Sequence, residues 1–185
     1  MEYHEIAPYL ITVSNFLSPE ECADLIELTE QLGYSDAPIN GPAGPTIAKS
    51  IRNNDRVMVD DVDRANALWE RARDVCPTYY QAHRVVGLNE RFRFYRYRRG
   101  QVFRWHRDGS FRRANGDASR LTFLVYLNDG FAGGETLFED AAIEPQQGKA
   151  LIFAHGYLHE GGEVLDGEKY VMRTDVIYSA AITDD

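Results

Sequence analysis

Between about Leu88 and Tyr178 the chain runs as short apolar stretches broken at close intervals by turn signals, and this spacing limits what it can fold into. Strands are predicted at Glu90–Tyr97, Val102–His106, Leu121–Leu127, Lys149–Phe153 and Tyr170–Tyr178. Asn128-Asp129-Gly130, Gly133-Gly134, Gly148, Gly161-Gly162 and Asp166-Gly167 punctuate them. Many short strands divided by Gly, Asn and Asp read as antiparallel β structure closed into a barrel or jelly roll. The fold class is therefore α+β, mainly β, with helices placed before the strands.

The N-terminal half supplies those helices. Ser18-Pro19-Glu20-Glu21 has the form of a capping box, and Cys22, Leu25, Ile26, Leu28 and Leu32 follow at helical spacing up to Gly33. A second helix is predicted over Asp63–Val75, closed by Cys76-Pro77. Residues 36–50, rich in Pro and Gly, read as an irregular loop, and this loop and 109–119 are the expected lids over a site. With 185 residues the chain has length for one domain. It divides into helical support and lid loop (1–87), strand-rich core (88–178) and a frayed acidic tail (179–185).

Charge and composition narrow the function. The net charge of −9 argues against a general nucleic-acid binder. No apolar run approaches the roughly 20 residues of a membrane span. The first ten residues carry acids where a signal peptide has Lys or Arg. Two cysteines, Cys22 and Cys76, do not make a disulfide framework, so a cytoplasmic enzyme is expected. Against this acidic background, Arg91 to Arg113 holds nine arginines and one aspartate. Many of these read as solvated outward charges; a few are expected to line the approach to an anionic ligand, since guanidinium suits planar carboxylates. Arg104, which shares a strand face with His106, and Arg112 and Arg113 are the candidates. Trp105, on the opposite face, is expected to pack in the core or between sheets.

His106 and Asp108 stand two apart at the end of a predicted strand, so both side chains leave one face. An imidazole and a carboxylate presented together can chelate a divalent ion, and His155 or His159 would complete the set. Two histidines and one carboxylate leave three open positions on an octahedral metal, the facial arrangement of non-haem Fe(II) oxygenases. Further on, Lys169 and Arg173 share one face of a strand. Two cations turned into a barrel need an anion to meet them, and a dicarboxylate held by the metal at its other end would supply it.

The segments YRRGQVFRWHRDG (97–109), RLTFLVYLND, GGETLF, IEPQQGKALIF and HEGGEVLDGEKY occur in this order through the C-terminal half. In them the sequence resembles the prolyl-4-hydroxylase-like branch of the Fe(II)/2-oxoglutarate-dependent dioxygenases. The resemblance implies a double-stranded β-helix (jelly roll) buttressed by N-terminal helices. It implies His106, Asp108 and His159 as iron ligands, leaving His155 beside the site. Lys169 matches the basic residue that pairs with the 2-oxoglutarate C5 carboxylate, and Tyr97 and Tyr126 match aromatic positions that contact the cosubstrate. Leu124 and Arg173 are expected beside it, Arg173 as a second cation for 2-oxoglutarate, a contact for an acidic substrate group, or the partner of a buried carboxylate such as Asp175 or Glu135.

The cofactors so implied are Fe(II), 2-oxoglutarate and O2. The reaction is hydroxylation of an unactivated C–H bond in a peptide residue or a small carboxylate-bearing molecule, with release of succinate and CO2. Asp108 argues against the halogenating relatives, which lack the carboxylate ligand. The competing readings are a non-catalytic metal- or carbohydrate-binding jelly-roll module and a nucleotide demethylase of the same superfamily. Lys169 speaks against the first and the net charge against the second. An anionic small-molecule or peptide substrate is the expected partner, with no membrane involved; oligomeric state is not encoded in these features.

Overall fold

The computed structural model describes residues 1–41 and 44–182. Its main sheet is antiparallel, in the order Glu2–Ala7, Leu10–Ser14, Ala150–Ala154, Ala118–Tyr126, Glu168–Ile182, Arg91–Arg98, Asp55–Asp60, Ser35–Asp36. His83–Leu88 joins it along the far end of Glu168–Ile182. A smaller sheet has the order Phe103–His106, His159–Gly161, Thr136–Phe138, Ala142–Ile143. Together they form the double-stranded β-helix that the sequence resemblance implies.

Two hydrophobic cores follow from strand alternation. On one face of the main sheet, Phe92, Phe94, Phe123, Val125, Ile152 and Met172 pack with Cys22, Ala65 and Leu68 of the helices. On the other, Tyr95, Tyr97, Tyr126, Leu151, Phe153 and Val171 meet Phe138 and Ile143 of the small sheet. Consecutive residues thus serve different cores, and the functional side chains belong to the second set.

The first helix, Pro19–Leu32, begins as predicted: Ser18 Oγ accepts from the Glu21 N–H, and Glu21 reaches back to the Ser18 N–H at 2.8 Å. The second, Val62–Ala72, is capped by Asp61 and ends earlier than the sequence suggests. Val75 and Cys76 both donate to the Ala72 carbonyl, a tightened turn that seats Cys76 in the core.

The N-terminal region is less purely helical than expected. Glu2–Ala7, Leu10–Ser14, Asp55–Asp60 and His83–Leu88 are all strands of the main sheet. Glu2–Ala7 is almost wholly exposed, so as an edge strand it carries none of the apolar alternation that identifies buried ones. The 36–50 loop contains a short paired turn, Ile39–Gly41 with Gly44–Thr46. At the C-terminus, Ser179–Ile182 extend the last strand rather than fraying; 183–185 lie outside the described residues.

Candidate active site

The site forms where the end of the small sheet faces the main sheet. His106 and His159 stand directly opposite each other in neighbouring strands, and Asp108 follows just beyond the strand end. Their ligand atoms all lie within 4.8 Å of one another. His106 Nδ1 lies 2.7 Å from the Arg104 carbonyl and His159 Nδ1 lies 3.1 Å from that of Tyr157. A carbonyl can only accept, so each Nδ1 carries the proton and each Nε2 lone pair is free to ligate. Phe103 stacks on His106 at 3.5 Å between centroids, and Phe153 meets His159 edge-on at 4.6 Å. The rings are thereby fixed in position.

Electrostatics keep this set in its ligating state. Burial, then the neighbouring His159, pushes the His106 imidazole down to about 3. Burial also lowers His159, more than Asp108 raises it. For Asp108 burial acts upward, but Arg173 and the two imidazoles outweigh it and hold the carboxyl at about 2. Two neutral imidazoles and an ionised carboxylate suit a divalent cation.

Arg173 is the hub of the surrounding polar network. Its Nη1 lies 2.9 Å from Asp108 Oδ1 and its Nη2 3.1 Å from Asp175 Oδ1. Asp175 is also met by Arg93 at 3.2 Å and has His155 Nε2 at 3.6 Å. Thr122 donates to Asp108 Oδ2 at 2.5 Å. Arg173 therefore braces the carboxylates, its pair with Asp175 being one of the readings open from the sequence, and it also lines the cavity that holds Lys169. His155 is buried behind Asp175, apart from the His106–Asp108–His159 group.

A narrow cavity runs inward past the three ligating residues, lined by Tyr97, Leu124, Thr136 and Val171, with Lys169 on its wall. Lys169 is 2% exposed, yet among the described residues no carboxylate lies within 4 Å of its Nζ. Its one hydrogen bond goes to the Gly134 carbonyl at 2.6 Å, and its ammonium faces the rings of Tyr97 and Tyr126 at 4.9 and 5.8 Å. Burial pushes Lys169 down to about 7. Glu135 offsets that burial only in part, and a dicarboxylate reaching from the metal would give this ammonium a direct ion pair, so the residues present fit both groups.

Other expectations are placed differently. Tyr126 is fully buried, its hydroxyl 2.6 Å from Thr136 Oγ1, and it lies behind the cavity wall rather than on it. Trp105 is 46% exposed, correcting its expected burial: the small sheet turns that face to solvent. Arg104 is exposed, Arg112 Nη1 bonds the Gly116 carbonyl, and Arg113 pairs with Glu90 at 2.6 Å. None of these three lines the groove beside the ligands. That groove is lined instead by Arg52, Arg56, Arg91, Arg93, Arg107 and Arg173. Arg91, Arg93 and Arg107 fall in the arginine-rich window, but no periodicity in the 36–56 region marks Arg52 or Arg56. Thr122 shares strand parity with Leu124 and Tyr126, a signal from which it could have been found.

Fold and site thus bring together two histidines and one carboxylate that could hold a metal ion, on a double-stranded β-helix. The 2OG-Fe(II) oxygenase superfamily profile matches residues 92–174. Prolyl 4-hydroxylase 1 of Arabidopsis thaliana is 25% identical over 191 residues, covering 89% of this chain and 67% of the plant protein. Among solved structures, the viral collagen prolyl hydroxylase of Paramecium Bursaria Chlorella virus-1, in its 2OG complex, superposes with a TM-score of 0.64. It is 21% identical and covers 94% of this chain and 97% of its own. A prolyl hydroxylase from Trichoplax adhaerens, in complex with a hypoxia inducible factor peptide fragment, gives 0.67 at 16% identity, covering 95% and 87%. Over residues 92–174, which hold His106, Asp108, His159 and Lys169, the chain is similar to the 2OG-Fe(II) oxygenase superfamily, and together with the prolyl 4-hydroxylase relative this supports an oxidoreductase that uses Fe(II) and 2-oxoglutarate. No helix among the described residues is long and apolar enough to cross a membrane.

Proposed function

We propose that this oxygenase hydroxylates an unactivated C–H bond in a peptide residue or a small carboxylate-bearing molecule, converting 2-oxoglutarate to succinate and CO2. The observation that carries the reading is Lys169: a buried amine with no carboxylate within 4 Å among the described residues, in a cavity that opens past His106, Asp108 and His159. In this reading those three residues hold Fe(II), which with 2-oxoglutarate and O2 supplies the oxidising chemistry. Lys169 pairs with the distal carboxylate of the cosubstrate, and Tyr97 and Leu124 wall the cavity around its chain.

The remaining residues orient and exclude. Carbonyls 104 and 157 fix the tautomers of the two histidines. Thr122 and Arg173 hold the Asp108 carboxylate by hydrogen bond and charge. Phe103 and Phe153 keep water from the imidazole faces. The groove beside the ligands, about 480 Å3, is where substrate enters. A peptide substrate is supported by the peptide complex of the Trichoplax relative. Two free, buried cysteines are in keeping with a reducing compartment, the cytoplasm.

Anaerobic titration of the metal-free protein with Fe(II) and then 2-oxoglutarate tests the assignment. A weak visible charge-transfer absorption is expected, lost in His159→Ala and in Asp108→Ala and kept in His155→Ala. Metal binding without that absorption in the wild type would refute 2-oxoglutarate chelation. Its persistence in His159→Ala would refute the ligand set.

A further inference from the structure

We propose that Arg52 and Arg56 form a carboxylate-binding subsite in the groove beside the iron ligands, so that the substrate carries a carboxylate close to the C–H bond it presents. This rests on the oxygenase reading above and specifies the chemistry of its substrate.

Six arginines line the groove. Four have partners within the protein. Arg91 pairs with Asp60 at 2.8 Å and Arg93 with Asp175 at 3.2 Å. Arg173 is held between Asp108 and Asp175, and Arg107 donates from Nε to the Gly156 carbonyl at 2.9 Å. Among the described residues Arg52, Arg56 and Arg107 have no carboxylate within 4 Å, but Arg107 is exposed to water, whereas Arg52 is buried and Arg56 half-buried.

Arg52 is only 5% exposed, which separates it from an ordinary solvated surface charge. Its guanidinium lies over the rings of Tyr95 and Phe103, 4.5 and 4.2 Å from their centroids. Its Nε donates to Asn54 Oδ1 at 2.8 Å, while the buried Nη2 has no hydrogen-bond acceptor. An unsatisfied charged donor at such depth costs free energy unless something arrives to accept from it. The stacking fixes the guanidinium plane in advance, as the flat, two-pronged geometry of a carboxylate requires.

Arg56 is half-buried and lies opposite Tyr95 in the neighbouring strand, on the groove side of the sheet. Burial, followed by the like charges of Arg52 and Arg93, lowers its pKa despite the opposing influence of Tyr95. Two neighbouring guanidiniums without a counter-ion repel each other, and one oxyanion between them relieves both. Phe103 lies under Arg52 and also stacks on His106, so the subsite adjoins the metal centre directly.

The test uses the full chain loaded with Mn(II) and saturated with 2-oxoglutarate, so that Lys169 is already occupied. The probe is N-acetyl-aspartate α-methylamide, compared with its neutral isostere N-acetyl-asparagine α-methylamide, with binding followed by calorimetric competition or NMR titration. The acid is expected to bind at least about tenfold more tightly than the amide. Arg52→Gln and Arg56→Gln should each erase that preference, and Arg99→Gln, at an exposed site away from the groove, should leave it within about twofold. Should Arg52→Gln fail to fold, the half-buried Arg56→Gln carries the test. Equal binding of acid and amide, preference retained in the Arg52 and Arg56 variants, or equal loss in Arg99→Gln would each overturn the proposal. The Fe(II)–2-oxoglutarate absorption of the wild type is read separately. If it is present and carboxylate selectivity is missing, only the subsite fails; if it is missing, the substrate role falls with the oxygenase reading.

Discussion

Replacing Lys169 by Met keeps the length of the side chain and removes one buried charge. Among the described residues that charge has a single hydrogen bond, to the Gly134 carbonyl, and burial, only partly offset by Glu135, pushes its pKa down to about 7. A charge-assisted contact with a carboxylate is worth about 1.5–3 kcal/mol, so the Met variant should bind 2-oxoglutarate roughly 10- to 150-fold more weakly. The sign of the pH effect follows from the same group. Binding requires the ammonium, which the free protein holds only below about 7, so a proton is taken up and affinity falls as pH rises. Wild-type affinity should drop about fivefold between pH 7 and 8, and the Met variant should lose this dependence. Stability of the ligand-free protein runs the other way. The unfolded chain holds this proton up to the ordinary lysine value of 10.5, so stability should rise with pH from about 7 to that value. Calorimetry of Mn(II)-loaded protein, in buffers of small and large ionisation enthalpy, reads both affinity and proton uptake. A Met variant that binds within threefold of wild type, or with the same pH slope, would refute the pairing of Lys169 with the distal carboxylate.

Arg173→Met leaves the buried carboxylates of Asp108 and Asp175 without their main cation and should destabilise the metal-free protein by about 3–5 kcal/mol, measured by urea unfolding; a loss below about 1 kcal/mol would refute this bracing role. Gly148 has φ +75° and faces the Leu17 carbonyl where a Cβ would stand, so Gly148→Ala should cost about 2 kcal/mol or more and lower Tm visibly. Arg113→Ala removes only a partly exposed pair with Glu90, and should change stability by less than about 1 kcal/mol while leaving substrate turnover unaltered.

Much of the architecture is written locally. The capping box at Ser18–Glu21 starts the first helix in the sequence and in the structure, because its hydrogen bonds join residues only three apart. The main-sheet strands of the C-terminal half are legible from alternation, since they bury one parity against the helices and the other against the small sheet, whereas the short strands Thr136–Phe138, Ala142–Ile143 and His159–Gly161 are not among those the sequence predicts. The exposed edge strand Glu2–Ala7 is not, because nothing on either of its faces is selected for burial. The second helix stops early through a turn closed by the Ala72 carbonyl, which no propensity specifies.

For the site, the sequence by itself determined which residue types could ligate a metal and which strand face each would leave from. Tertiary structure decided which of them meet. His106 and His159 lie 53 positions apart and become neighbours only through strand pairing, while His155, equally eligible by type, is carried behind Asp175. Arg104 has the parity of His106 but faces solvent, whereas Arg52, from a segment without periodicity, is buried between two rings beside the ligands. The physical reason is that alternation fixes direction relative to one strand. Whether a charge in that direction finds an acid, water or an open groove depends on what the rest of the chain packs against it.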